Sequence, residues 1–206
     1  MRVLNLYAGL GGNRKLWLDV DVTAIEFDPK ISDVYKRLNP QDEVITCDAH
    51  DYLLKNHGNF DFIWSSPPCQ SHSRMIRSGR NRSPRYPDLR LYEQILMLKH
   101  DFKGLWVVEN VKPYYKPLME YQNIGRHVFW SNFKINKMEE PKFKNFINTA
   151  NLQGKSALME WLGIYYEENI YYGNNHCPAQ ILRNCVHPSV GLNVLDSAIK
   201  NGVWSV

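Results

Sequence analysis

At 206 residues, 44% hydrophobic and 22% charged, the chain has the size and composition of one globular domain that needs no staples to hold a core. No window approaches the roughly 18 uninterrupted apolar residues of a membrane span, and the opening Met-Arg-Val-Leu-Asn-Leu lacks a cleavable leader pattern, so neither a membrane nor a secretory role is expected. The formal charge is +4, but Arg74 to Arg90 carries six arginines against the single acid Asp88, a local +5 that leaves about −1 for the rest.

Arg2–Tyr7 reads as a buried first strand, followed by a Gly9/Gly11/Gly12 turn and a short helix around Arg14–Leu18. Val22–Phe27 is a second strand carrying Glu26 at its end. Pro29–Leu38 reads as helix, and Glu43–Cys47 as a third strand ending at Asp48. Phe60–Trp64 and Leu105–Val108 are the fourth and fifth strands, with a helix over Leu89–His100 between them. Val128–Phe133 is a further strand candidate, Lys134 to Gln180 is hard to assign, and Val190–Lys200 is an amphipathic closing helix. Strands alternating with helices at these lengths predict an α/β fold with a mostly parallel, doubly wound sheet. The expected organisation is a core over 1–133, a small embellishment over 134–182, and a C-terminal helix region over 183–206 returning to the core.

Two apolar runs stop abruptly at reactive side chains: Phe-Ile-Trp-Ser-Ser-Pro-Pro-Cys-Gln at 62–70 and Val-Val-Glu-Asn-Val at 107–111. Catalytic groups in open α/β sheets sit just beyond the carboxyl ends of the strands, so Cys69 and Glu109 can face one pocket. A thiol nucleophile with a carboxyl partner suggests covalent catalysis. Pro67 and Pro68 fix the backbone ahead of Cys69. The arginines nearby and a helix N-terminus after Gln70 are expected to depress the pKa of the thiol. Four cysteines (Cys47, Cys69, Cys177, Cys185) lack a disulfide-framework spacing, which points to a reducing, cytoplasmic setting.

The arginine run, broken by Gly79, Pro84 and Pro87, reads as a loop. Guanidinium forks bind phosphates and base edges in pairs of hydrogen bonds, so the segment is expected to close over nucleic acid. The glycine turn is weak evidence alone, since glycine serves any sharp strand-to-helix turn. Gly9-x-Gly11-Gly12 misses the dinucleotide fingerprint and lacks the Lys-Ser/Thr of a triphosphate loop. Glu26 can accept both hydroxyls of a ribose, Asp48 can accept from an adenine amino group, and Tyr7 can cover an aromatic base. A nucleoside site with no phosphate-neutralising lysine suits S-adenosylmethionine better than NAD.

At this point the motifs resemble those of one family. Leu6-Tyr7-Ala8-Gly9-Leu10-Gly11-Gly12 resembles the cofactor motif of DNA cytosine-5 methyltransferases. Ser66-Pro67-Pro68-Cys69-Gln70-Ser71-His72-Ser73 resembles their nucleophile loop, and Glu109-Asn110-Val111 their Glu-Asn-Val triplet. Arg183-Asn184-Cys185-Val186-His187-Pro188 is similar to their closing Gly-Asn-x-Val-x-Pro motif, with Arg183 where glycine is usual. Order and rough spacing agree along most of the chain, and the small size looks like compact bacterial and phage versions. The resemblance implies a Rossmann-like S-adenosylmethionine-dependent methyltransferase fold with a reduced target-recognition insert over 134–182. It implies methyl transfer to C5 of a flipped-out cytosine in double-stranded DNA, with S-adenosylhomocysteine as product. Cys69 is then the nucleophile and Glu109 the acid at ring N3, while Arg126 contacts the flipped base or steadies Glu109. Tyr7, Ala8, Gly9, Leu10, Gly11, Gly12, Glu26, Asp48, Pro68 and Asn184 form the cofactor site. DNA contacts fall to Gln70, Ser73, Arg74, Arg77, Arg80, Arg82 and Arg85.

Rival readings stay open. A tRNA cytosine methyltransferase of the same family keeps these motifs, although its Cys-Phe-Thr signature is not found here. A catalytically dead accessory subunit would keep the fold but has no need of Cys69 and Glu109. A second subunit or self-association can complete target recognition, and a cognate restriction endonuclease is a further partner. Zinc is not expected, because the spacing of His176, Cys177, Cys185 and His187 matches no standard finger.

Overall fold

The computed structural model describes residues 1–77, 86–144, 146, 152–171 and 177–201. In chain order the elements are β1 (Arg2–Leu6), β2 (Asp21–Glu26), α1 (Pro29–Leu38), β3 (Glu43–Thr46), α2 (Ala49–Asn56), β4 (Phe62–Ser65), α3 (Arg90–Asp101), β5 (Leu105–Val111), β6 (Gln122–Ile124), β7 (His127–Ser131), α4 (Leu152–Leu162), α5 (Gln180–Arg183) and α6 (Pro188–Asn201).

The strands form one sheet in the order β3-β2-β1-β4-β5-β7-β6. The first five pair in parallel, and β7 joins antiparallel to β5 with β6 outside it. The chain winds outward from β1 to β3, then crosses back to continue from β4. The switch point therefore lies between β1 and β4, where open α/β sheets leave a crevice at the strands' carboxyl ends. Register brings those ends into line: Leu6 pairs with Ile25 and with Ser65, and Ser65 pairs with Val108. Glu109 begins where that line ends. Antiparallel pairing of Glu109 with Phe129 and of Val111 with His127 delivers the start of β7 to the same edge.

Period-two alternation divides each central strand between two buried faces. Val3, Phe62, Trp64, Val107 and Phe129 pack with Trp17 and with Val190, Val194, Leu195 and Ala198 of α6. Leu4, Leu6, Ile63, Trp106 and Val108 pack on the other face against Leu53 of α2 and Leu91, Ile95 and Leu98 of α3. A third cluster joins Leu158, Leu162, Ile164 and Tyr166 to Leu10 of the glycine turn and to Ile31 and Val34 of α1, so this part of 134–182 packs beside the turn. No helix among the described residues is long and apolar enough to cross a membrane.

Most strand and helix bounds expected from sequence fall within a few residues of those observed. The helix expected at Arg14–Leu18 is absent: the stretch is a run of turns, with Arg14 N and Lys15 N donating to Gly11 O and Trp17 N to Arg14 O. Arg14 leaves any helical surface to pair with Asp42 at 2.8 Å in the interior, and Trp17 turns into the core. Helix α2 and the short strand β6 were not anticipated. Asp48 opens α2, its Oδ1 accepting from Asp51 N at 3.0 Å.

Candidate active site

The glycine turn after β1 is stapled to the end of β2. Gly9 N donates to Glu26 Oε2 at 2.9 Å, while Phe27 N and Asp28 N donate to Oε1 at 2.9 and 3.1 Å. Burial raises the Glu26 pKa above its ordinary value, and the three N–H donors only partly offset it. Tyr7, Gly9 and Gly11 have φ of +56°, +55° and +73°. A β-carbon on Gly9 would meet nothing within 4 Å, whereas one on Gly11 would lie 2.8 Å from the Tyr35 ring. Gly11 thus packs the turn onto α1, while Gly9 leaves its surroundings open.

A cleft of about 490 Å³ lies at the switch point, a volume within the usual range for a small-molecule site. Of the cofactor residues expected from sequence, Tyr7, Ala8, Gly9, Leu10, Gly12, Glu26, Asp48, Pro68 and Asn184 line it; Gly11 supports the turn from behind. The Tyr7 hydroxyl accepts from Gln94 Nε2 at 2.7 Å, and Gln94 Oε1 accepts from Ser65 at 2.7 Å, which fixes the ring against α3. Asp48 reaches the cleft while also capping α2. Asn184 is held by Gln180, whose Nε2 donates to Oδ1 at 2.8 Å.

Sequence reasoning missed Phe27 and Asp28. Phe27 follows Glu26, lines the cleft and is 73% exposed, an aromatic face open to a ligand. Asp28 caps α1, accepting from Lys30 N at 2.8 Å. The signal for Phe27 was available: an aromatic residue directly after a strand-ending acid at a nucleoside site.

Cys69, Glu109 and Arg126 line the same cleft. Asn110 Nδ2 donates to Pro67 O at 2.9 Å, which ties the loop carrying the thiol to the strand carrying the acid. The Cys69 carbonyl accepts from His72 N and Ser73 N at 3.0 and 2.9 Å, closing a turn after the nucleophile. Contrary to the sequence expectation, the Cys69 pKa is pushed up to about 11, first by burial and then by the charge of Glu109, with Arg126 opposing weakly. The described arginines of the 74–90 run are engaged elsewhere: Arg74 Nε donates to Pro113 O at 3.2 Å, and Arg90 pairs with Asp88 at 2.6 Å.

Arg126 also differs from expectation. Its Nη1 and Nη2 donate to the carbonyls of Arg183 and Cys185 at 2.9 and 2.7 Å, and its guanidinium lies 4.5 Å from the Phe146 ring centre. It clasps the closing motif to the β6–β7 hairpin instead of presenting a free fork. Beside it, His127 is 1% exposed, with Nε2 3.8 Å from Glu109 Oε1 and Nδ1 3.2 Å from Glu140 Oε1. Burial alone would raise Glu140, but His127, the Arg126 N–H at 2.8 Å and the Arg126 charge outweigh it and hold the carboxyl below its ordinary value.

Gln70 lines the cleft and Ser73 bridges to Pro113. The Arg77 side chain and Arg80, Arg82 and Arg85 lie outside the described residues. Among the described residues no three His, Cys, Asp or Glu side chains group as metal ligands. Cys177 and Cys185 are buried, and Cys185 Sγ contacts Ile181 O.

The cleft suits a nucleoside that carries no phosphate. It offers carboxylates (Glu26, Asp28, Asp48) for hydroxyl and amino donors, an open aromatic face (Phe27), and no lysine among the described residues that line it. A family model described as C-5 cytosine-specific DNA methylase matches residues 1–123, more than half of the chain. The mouse tRNA (cytosine(38)-C(5))-methyltransferase is 28% identical over 119 residues, covering 54% of this chain and 29% of that protein. The chain thus spans less than a third of the curated relative's length. Similar solved structures include a mutant of Spodoptera frugiperda DNMT2, with TM-score 0.45 and 19% identity over 68% of this chain and 53% of that one. The Entamoeba histolytica methyltransferase EhMeth gives TM-score 0.43 and 12% identity, over 73% of this chain and 60% of that one. S-adenosylmethionine is the cofactor of the family that this match indicates. With the match running through the glycine turn, the Pro-Pro-Cys-Gln loop and the Glu-Asn-Val triplet, the chain belongs to the C-5 cytosine-specific DNA methylase family.

Proposed function

We propose that this protein methylates C5 of a cytosine flipped out of duplex DNA, through a transient bond between Cys69 Sγ and ring C6. The observation that carries the reading is the opening of the Cys69 loop and the Glu109 strand onto one cleft with the Gly9 turn and Glu26.

C5 of an aromatic cytosine is a poor nucleophile. Addition of the Cys69 thiolate to C6 forms the S–C bond and pushes the ring π electrons toward C5, while a proton moves from the Glu109 carboxyl to N3. Charge that begins on sulfur ends on the Glu109 carboxylate. S-adenosylmethionine, when bound, supplies the electrophilic methyl group that C5 takes up. Loss of the C5 proton to a base then expels Cys69 as thiolate, and N3 returns its proton to Glu109. Asn110, bound to Pro67, keeps acid and nucleophile in fixed relation. Glu26 and Asp48 hold the nucleoside part of the cofactor, Phe27 or Tyr7 covers its base, and Asn184 shapes the wall beside them. Extrusion of the target base costs a few kcal/mol, which contacts from Gln70, Ser73 and the arginine run repay.

The test is transfer of a tritiated methyl group from labelled cofactor to duplex DNA and, in parallel, to tRNA, followed by bisulfite sequencing of the DNA. Label in DNA as 5-methylcytosine within a short motif is expected. Label in tRNA alone would move the substrate to RNA, the reading favoured by the mouse relative. Label in neither would leave the accessory-subunit reading.

A further inference from the structure

The β6–β7 hairpin holds a buried line of three ionisable side chains that the reaction above does not use in full. His127, at the start of β7, has its imidazole between two carboxyls from different parts of the chain. Glu109, from β5, is on the cleft side. Glu140, from the segment after β7, is on the far side. Exposure of the three side chains is 8%, 2% and 9% for Glu109, His127 and Glu140.

The far end is built to receive Glu140. Gly125 turns the hairpin at φ +55°, and a β-carbon there would fall 1.9 Å from Glu140 Oε2, so only glycine admits the carboxyl. Oε2 accepts from Arg126 N at 2.8 Å. Oε1 lies 3.2 Å from His127 Nδ1 and 3.5 Å from Arg126 Nε. These last three atoms are buried and have no well-directed hydrogen bond, so charge attraction holds the cluster together.

We propose that His127 is a positioning residue for Glu109: Glu140 orients the imidazole through Nδ1 so that Nε2 faces the Glu109 carboxyl and fixes its rotamer toward the flipped base. The proposal rests on the reading of Glu109 as the acid at N3. An ionised Glu140 can only accept, so its charge favours a proton on Nδ1, the ring nitrogen nearer to it, and leaves Nε2 on the side of Glu109.

The experiment has two arms. In the first, nitrogen-15 histidine spectra are compared for the parent protein, Glu109→Gln and Glu140→Gln, without substrate. The His127 Nε2 resonance is expected to move on Glu109→Gln, and Nδ1 on Glu140→Gln, while His57 stays fixed. In the second, His127→Gln is assayed on the nucleic acid the parent methylates. Turnover is expected to fall about 10²-fold, as for a misplaced reacting group, with KM for cofactor and nucleic acid within threefold of the parent. An unmoved Nε2 resonance on Glu109→Gln, or His127→Gln turnover within twofold of the parent, would overturn the proposal. If His127→Gln does not fold, the spectra decide. If the parent transfers no methyl to cytosine, the reading of the function fails, and the spectra still decide whether His127 is coupled to Glu109.

Discussion

Arg126 Nη2 donates to the carbonyl oxygen of Cys185 at 2.7 Å, joining the β6–β7 hairpin to the closing motif 59 residues later in the chain. A second bond from Nη1 to Arg183 O at 2.9 Å makes the contact a fork on backbone, so this guanidinium holds the wall that carries Asn184. Replacing Arg126 with methionine keeps the stem but leaves two carbonyls without their donor and Glu140 without one of its cations. The expected cost is about 2–3 kcal/mol of stability by urea denaturation. Calorimetry is expected to show cofactor affinity weakened roughly tenfold, which is about 1.4 kcal/mol.

The raised pKa of Cys69 sets the reactivity of the resting thiol. Below about 11 the sulfur is mostly thiol, so the thiolate fraction grows tenfold for each unit of rising pH. Rates of Cys69 alkylation by iodoacetamide in the free protein, measured between pH 6.5 and 9, are expected to climb with a slope near one on a logarithmic plot. A flat profile would show that the resting thiol is already ionised. Cys69→Ser is expected to lose methyl transfer by at least about 10³-fold while retaining cofactor binding, because a hydroxyl is far harder to ionise.

Phe27 gives a prediction on binding alone. Its open ring lies next to Glu26 at the nucleoside end of the cleft. Phe27→Ala is expected to weaken the cofactor by about 1–2 kcal/mol, the usual effect of removing an aromatic partner from a base. Stability is expected to change little, since the ring is 73% exposed. Unchanged affinity by calorimetry would return the stacking role to Tyr7.

Glu26 links cofactor affinity to acid. Its carboxyl is raised above the ordinary value, so it gains a proton earlier than a free glutamate as pH falls. Ribose hydroxyls need the ionised form as acceptor. Affinity is therefore expected to decline with falling pH before an ordinary glutamate would protonate, and Glu26→Gln to show weak binding with no such decline.

Much of this architecture could be read from residue order. The α1 bounds were anticipated because Pro29 and Asp28 mark its start and Ile31, Val34 and Tyr35 its buried stripe. Cys69 and Glu109 were legible because a strand that ends in a reactive group announces itself. The stretch Arg14–Leu18 was misread as helix because Arg14 looks like a surface residue until Asp42, 28 positions away, is known to bury it. Helix α2 was overlooked because Asp48 was weighed only as a ligand for adenine, while its capping of Asp51 N is equally local. Two surroundings were not legible from local sequence. Arg126 is engaged by the carbonyls at 183 and 185, and the Cys69 thiol is raised first by burial in the folded cleft and then by the charge of Glu109.

The closing helix is set against the first loop with no room between them. A β-carbon on Gly191 would fall 2.1 Å from Asn13 O, and one on Gly12 would fall 2.6 Å from Val186 O. Gly191→Ala is therefore expected to cost about 1–3 kcal/mol by overpacking, read from thermal denaturation.

Residues 183–186 help to form the wall of a cleft whose floor is residues 7–12. The cleft is therefore closed by segments far apart in the chain: α6 seats Gly191 against Asn13, and residues 183–186 stand beside the turn after β1 only with α6 in that place.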